Sequence, residues 1–207
     1  MQEVAMVADV KGKKKSKLRE YVEIVVTAVV LALIVRAFII QSYHIPSESM
    51  EDTLLKGDFL FANKFIYGAK IPFTPWHLPK VRDPKPGDIV IFKFPGDRKT
   101  DYIKRCIATE GQTVELRDRT LYVDGVEKPE KYAKYIYGDM PRRNFGPYTV
   151  PKGHILVFGD NRDNSYDSRF WGPLDKKLLR GKALFIYFSI DYKKHWIRFR
   201  RIGHLIK

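Results

Sequence analysis

Asp101-Tyr102-Ile103-Lys104-Arg105-Cys106-Ile107-Ala108 reads as a β-strand. Its alternation sets Tyr102, Lys104, Cys106 and Ala108 on one face and Ile103, Arg105 and Ile107 on the other. Other segments share its short length and its β-branched or aromatic content: residues 57–65, 88–94, 113–117, 121–123, 155–158, 183–190 and 196–199. Gly, Pro and Asp punctuate the gaps between them. Val123-Asp124-Gly125-Val126 carries a hairpin-turn signal. With no convincing helix after residue 40 and no internal repeat, residues 41–207 are expected to be mainly β, an antiparallel sandwich or partly open barrel. Residues 112–153 are expected to form an inserted hairpin region. The stretch from Pro72 to Pro86, with its five prolines, is expected to be an ordered surface loop.

The 207 residues suit one domain with an appendage, and 44% hydrophobic with 14% aromatic residues is enough to fill a core. A single cysteine excludes a disulfide framework and a multi-cysteine zinc site within the chain. The net charge of +14 points to an anionic partner, either nucleic acid or a lipid surface.

The N-terminal region bears on that choice. Residues 11–19 carry six cations and no acid, and from Tyr21 to Ile40 the only charges are Glu23 and Arg36. Twenty residues at about 1.5 Å each match one hydrocarbon thickness, so 21–40 is expected to be a single transmembrane anchor. The basic residues of 1–20 would stay in the cytoplasm and residues 41–207 would be exported. Two other readings are a buried core helix, against which the lack of a polar face argues, and a cleavable secretory signal. The second would use Ser47-Glu48-Ser49 as its small-x-small site, but the apolar stretch is longer than a usual signal core.

No G-x-S-x-G elbow, Walker loop, H-E-x-x-H or dinucleotide fingerprint occurs, and the five histidines are scattered. A hydrolase built on this chain would need a base other than histidine. Ser47 and Ser49 at i and i+2 of an extended segment point the same way, which would let a nucleophile and an auxiliary hydroxyl share one cleft. Lys104 is the only charge on its strand face. To act as a base it must be neutral at working pH, which means disfavouring the ammonium by roughly 4–5 kcal/mol, within reach of desolvation on an apolar face. A carboxylate close to Lys104 would undo this. Gly159 to Arg169 (GDNRDNSYDSR) follows an apolar run; its acids do not match a calcium loop and its arginines would repel the ion. It is expected to be a self-satisfied polar loop of Asp–Arg pairs, with Ser165 available for a supporting hydrogen bond.

Together these segments resemble the type I signal (leader) peptidases, membrane-anchored serine endopeptidases with a Ser/Lys dyad. The nucleophile box is similar to Pro46-Ser47-Glu48-Ser49-Met50-Glu51-Asp52-Thr53-Leu54 with Gly57-Asp58 following. The second box resembles Pro86 to Lys93, the lysine box Tyr102-Ile103-Lys104-Arg105, and the last box Gly159 to Arg169. The resemblance implies Ser49 as nucleophile and Lys104 as general base. It implies an oxyanion hole from the Ser49 N–H and the Ser47 hydroxyl, and Ser165 orienting Lys104. Arg105, Asp160, Asp167 and Arg169 would form structural ion pairs, and Tyr43, Ile45, Met50, Leu54 and Tyr102 would border the substrate cleft. No cofactor or metal is implied. Asp52 departs from the family's usual proline, and Ala108 to Gln112 from its usual turn.

The implied substrate is the signal peptide of a translocated preprotein, met at the bacterial plasma membrane with the N-terminus cytoplasmic and the catalytic β-domain outside. Lys193 to Lys207, with six cations among Trp196, Ile197, Phe199 and Leu205, is expected to lie near anionic headgroups. The protein-export machinery would be a further neighbour. Two competing readings remain: a basic nucleic-acid-binding β-domain, which explains neither the anchor nor the Ser/Lys boxes, and a tethered, non-cleaving binder of exported proteins. A self-cleaving repressor-type peptidase lacks the expected preceding pair of DNA-binding helices.

Overall fold

The computed structural model of the chain describes residues 17–38, 40–68, 74, 76, 79–136 and 144–206. The basic run within 1–16 lies outside them, as do parts of the proline-rich loop and residues 137–143 of the inserted region. The chain forms two compact units, one reaching Val35 and the other running from Arg36 onward.

Helix α1 (Lys17–Phe38), most of which belongs to the first unit, is 22 residues long. Its described side chains are exposed all round, among them Ile24, Val25, Val29, Leu31 and Leu33, and Arg19 pairs with Glu23 at 3.0 Å. Among the described residues no helix is long and apolar enough to cross a membrane. The helix does not coincide with the stretch 21–40 expected as an anchor. The helix begins earlier, among the charges of Lys17, Arg19, Glu20 and Glu23, and it ends at Phe38, with Ile40 opening a strand. Uniform apolarity cannot mark a helix-to-strand junction, because Ile and Val suit both states.

The second unit is mainly β and antiparallel. In chain order its strands are β1 (Ile40–His44), β2 (Asp58–Asn63), β3 (Ile89–Lys93), β4 (Asp101–Thr109), β5 (Thr113–Arg117), β6 (Thr120–Val123), β7 (Val126–Lys128), β8 (Phe145–Thr149), β9 (His154–Phe158), β10 (Leu174–Asp175), β11 (Leu179–Asp191) and β12 (Trp196–Ile197). The larger sheet runs β1-β2-β11-β3-β4-β9-β10, with β12 added on β11, and among the described residues β1 and β10 at its ends do not pair. It is the partly open arrangement, not a closed barrel. The smaller sheet, β7-β6-β5-β8, is built from residues 113–149. The expected absence of helix after residue 40 needs one small correction: α2 (Ser168–Trp171) forms a single turn, capped by the Asp167 side chain accepting from the Arg169 N–H. Strands β1, β8 and β10 were not read from the sequence. The first was absorbed into the apolar run, the second holds Gly146-Pro147, and the third spans two residues.

β11 is thirteen residues long and bonds β2 along one part and β3 along another, which its register shifts near Arg180, Leu184 and Tyr187 permit by bending it. β3 is buried along Ile89–Phe92 because β4 and β11 flank it and core lies on both faces. A further irregularity falls in β4 between Cys106 and Ala108. There the strict alternation fails: Cys106 packs with Val90, Phe92 and Val157, whereas Ala108 joins Ile107 and Val114 in another cluster. Tyr102, Lys104 and Cys106 precede the slip.

The C-terminal segment is fastened to the start of β2 by Asp58, which is wholly buried. Its carboxylate accepts from Ser189 Oγ at 2.7 Å, Arg201 NH2 at 2.6 Å and the Leu55 N–H at 2.8 Å. Asp58→Asn keeps the shape but leaves a guanidinium without its counter-charge, and is expected to lower stability by about 3 kcal/mol in urea denaturation.

Candidate active site

The turn that carries the two serines follows β1. Ile45 is buried and exchanges hydrogen bonds with the start of β2: its N–H donates to Asp58 O at 2.9 Å, and Gly57 N–H donates to Ile45 O at 2.9 Å. Between these points the chain coils back, with Glu51 N–H donating to Glu48 O at 3.0 Å and Leu54 N–H to Met50 O at 2.7 Å. Met50 and Leu54 bury fully in the core with Leu60, Ile89 and Ile186. They were expected at the substrate cleft; the structure places them in the core beneath the turn. An apolar side chain next to a serine reads the same in sequence whether it faces cleft or core.

Asp52 adopts φ +77°, and its carboxylate lies 3.1 Å from Lys134 Nζ. Proline, which locks φ near −65°, has no place in that conformation. The departure from the family's pattern at Asp52 is therefore matched by the local backbone.

β4 delivers Lys104 to this turn. Its Nζ lies 2.6 Å from Ser49 Oγ and donates to Ile103 O at 3.1 Å. Lys104 is 4% exposed and Ser49 8%. Burial, the largest influence, pushes the amine down from 10.5 to about 8; Asp167 and Asp160 act upward against it, and Arg169 acts downward. Among the described residues Lys104 has no ion pair, because the two nearby carboxylates are engaged elsewhere. Arg105 clasps Asp160 with Nε at 2.9 Å and NH2 at 2.7 Å, and Arg169 clasps Asp167 with Nε and NH2 both at 2.8 Å. These bidentate pairs limit the pull of either carboxylate on the ammonium.

The loop after β9 holds the opposite wall. Gly159 has no side chain where one would collide with Ser165 Oγ at 2.2 Å and Ser49 O at 2.5 Å, so this backbone approach requires glycine. Ser165 Oγ is buried there without a hydrogen-bond partner among the described residues. Its expected bond to Lys104 is absent from this arrangement, in which Nζ bonds Ser49 and Ile103. Ser47 Oγ lies 3.4 Å from Ser49 Oγ. Tyr43, Ile45, Ser47, Ser49, Tyr102 and Lys104 all line a cleft of about 210 Å³, and burial pushes the Tyr43 phenol upward. Among the described residues no cluster of His, Cys, Asp or Glu is placed to hold a metal ion.

Several supporting residues escaped the sequence reading. Glu130 binds the buried Arg162 through two 2.6 Å contacts, and Tyr132 stacks 3.9 Å from the Arg105 guanidinium. Lys134 N–H donates to Asp160 O at 2.7 Å and accepts back through its carbonyl from Arg162 N–H at 2.8 Å. Thr53 Oγ1 donates to Asp160 Oδ2 at 2.6 Å. A strap from the inserted region therefore runs behind the loop that abuts Ser49. No local signal could have found it, since its partners lie about thirty residues apart along the chain.

Fold and site together define a hydrolase-type cleft in which a hydroxyl meets a buried amine. Comparison with known proteins narrows this. Residues 18–188 match the family model described as signal peptidase, peptidase S26. Signal peptidase I of Pseudomonas aeruginosa is 31% identical, over 86% of this chain and 75% of its own. Signal peptidase I of Bacillus licheniformis is 38% identical, over 86% of this chain and 92% of its own. A crystal structure of a signal peptidase I from Enterococcus faecalis is 32% identical, with a TM-score of 0.44, covering 50% of this chain and 98% of that one. The chain belongs to the signal peptidase family, peptidase S26, and is a serine endopeptidase, a hydrolase that removes signal peptides.

Two outcomes follow from the geometry. An unfolded chain keeps its lysine charged up to about 10.5, whereas the folded chain releases that proton near 8. Below pH 8 folding therefore carries a penalty on the order of 3 kcal/mol, which fades as pH rises toward 10.5. Lys104→Met is expected to raise Tm at pH 7 and to lose that advantage by pH 10.5, read by calorimetry across pH. Asp52→Pro is expected to lower Tm and preprotein cleavage together, where Asp52→Gly leaves both near wild type.

Proposed function

We propose that the chain cleaves preproteins through Ser49 as nucleophile and Lys104 as general base, with the peptide bond held in the cleft between β1 and β4. The reading rests above all on one observation: an amine pushed down to about 8 lies 2.6 Å from a hydroxyl inside a dry crevice. Ser49 Oγ attacks the scissile carbonyl carbon while its proton passes to Lys104 Nζ. The carbonyl oxygen becomes an oxyanion, and the Ser49 N–H and the Ser47 hydroxyl donate to it. Collapse of this intermediate expels the new N-terminus of the mature protein as an amine, which takes the proton back from Lys104. Water then repeats the sequence on the acyl group, with Lys104 again as base. Ser165, buried against Gly159, would receive a hydrogen bond from Nζ once the hydroxyl proton moves; its unused Oγ supports this reading. The Arg105–Asp160 and Arg169–Asp167 pairs act as structure, holding the loop while keeping its negative charge from the amine.

Tyr43, Ile45 and Tyr102 would border the substrate backbone, which enters extended beside β1, the unpaired end of the larger sheet. We infer further that α1 holds the enzyme at the bacterial plasma membrane. Its apolar side chains are exposed, and a signal peptide still in the bilayer would meet the cleft at high local concentration. In this arrangement the basic run 11–19 stays cytoplasmic and the β-unit lies outside, where exposed Trp196, Phe199 and Leu205 among cations suit anionic headgroups. Contact with the export machinery at that surface belongs to the same reading.

Ser49→Ala and Lys104→Ala are each expected to reduce preprotein cleavage by about 10³-fold or more, measured by gel or fluorogenic peptide. Wild-type kcat/KM is expected to fall about tenfold per pH unit below the amine's value near 8, as the base becomes protonated. Near-normal cleavage by Lys104→Ala excludes the dyad.

A further inference from the structure

Asn161 does more in this site than its backbone bridge to Lys134 explains. It is wholly buried and bonds twice to the turn that carries Ser49. Its backbone N–H donates to the Ser49 carbonyl at 3.1 Å, and its side-chain Nδ2 donates to the Glu48 carbonyl, also at 3.1 Å. Nδ2 lies 3.3 Å from Glu51 Oε2 as well. The other half of the amide goes unused: Asn161 Oδ1 is buried with no partner among the described residues. Turning the amide over would aim that oxygen at two acceptors, so the assignment follows from its neighbours. An unsatisfied buried oxygen destabilises the fold, and an apolar side chain at this position would avoid that cost. What an apolar side chain would not supply is the N–H on Glu48 O.

That carbonyl belongs to the same peptide unit as the Ser49 N–H. Among the described residues the one cis peptide bond is Gly146-Pro147, so the Glu48–Ser49 unit is trans. In a planar trans peptide the C=O and N–H point in opposite directions. A carbonyl held on the Asn161 side therefore fixes the N–H on the other side, and a donor on the oxygen also polarises that N–H. Among the described residues the Ser49 N–H donates to no acceptor. Asn161 thus holds the peptide unit that carries this donor.

We propose that Asn161 is a positioning residue for the oxyanion hole, setting the direction of the Ser49 N–H by clamping the carbonyls on either side of it. The inference rests on the reading of Ser49 as the nucleophile. It requires the clamp to matter more once charge develops on the substrate oxygen than when the peptide first binds. Loss of the side-chain donor should lower kcat, by an amount approaching the 10²–10³-fold effect of deleting an oxyanion donor outright, while leaving KM nearly unchanged.

The test uses the full chain with Asn161→Ala and with the near-isosteric Asn161→Asp, both assayed at alkaline pH where Lys104 is neutral. Each variant is expected to lose about 10- to 100-fold in kcat, with KM within threefold of wild type. Affinity for a substrate-like peptide aldehyde should fall in parallel with kcat. In that complex Ser49 Oγ bonds to the aldehyde carbon, the hydroxyl proton passes to Lys104 Nζ, and the aldehyde oxygen takes the oxyanion position. Retention of kcat within threefold, or a kcat loss without weaker aldehyde binding, overturns the proposal. Loss of the circular-dichroism signature in both variants also overturns it, since Asn161 is then a stability element. Ser49→Ala separates the two readings: cleavage surviving in that variant removes the nucleophile assignment itself. Cleavage that needs Ser49 but ignores Asn161 removes only this one.

Discussion

A lysine amine kept out of water beside a serine hydroxyl is the constraint around which the rest of this structure is arranged. An ammonium in that position would be costly to bury, and a carboxylate brought in to pay for it would deprive the amine of any use as a base. The chain meets both demands at once. Acidic residues are close enough to bind the surrounding loops together, yet each is taken up by a guanidinium. Arg105 sits one residue from Lys104 on β4 but on the opposite face, so one strand supplies both the buried amine and the cation that occupies Asp160.

The same logic explains why so many polar groups are buried around a small cleft. Asp160, Asn161, Arg162 and Asp167 are all nearly inaccessible, and the first, third and fourth find charged partners. The Glu130–Arg162 pair and the Tyr132–Arg105 stack come from the inserted region. That region thus serves as the back wall of the loop that abuts Ser49. Buried ionic networks add little net stability compared with apolar packing, but they fix geometry, because every partial rearrangement leaves a charge unpaired. For a site that depends on a few ångströms between one amine and one hydroxyl, fixed geometry is the useful property.

Much of this was legible in residue order. The strand segments were visible as short β-branched runs between turn residues, and in the larger sheet β2, β3, β4 and β9 fall within a residue or two of where alternation put them. Less legible were β8, which contains Gly146-Pro147, and β10, which is too short to show a period. The irregularity in β4 was also invisible, because a bulge shifts the alternation without changing composition. At the site, the serines, the lysine and the Asp–Arg loop could be named, while Met50 and Leu54 could not be told apart from cleft residues. Glu130, Tyr132 and Asn161 were missed or undervalued because their roles lie in backbone and ionic contacts with distant segments.

The chain's own order of residues determined the β character, the apolar helix near its start, and the types of group that had to meet if chemistry was to occur. These are local properties, carried by periodicity, turn residues and the intrinsic acidity of side chains. Tertiary structure alone decided that residue 104 meets residue 49 across 55 positions of chain, that the amine is dry, and that its neighbouring acids are already occupied. Burial and distance belong to the assembled fold, since solvent exclusion requires several strands to close around one point. No single segment contains that information.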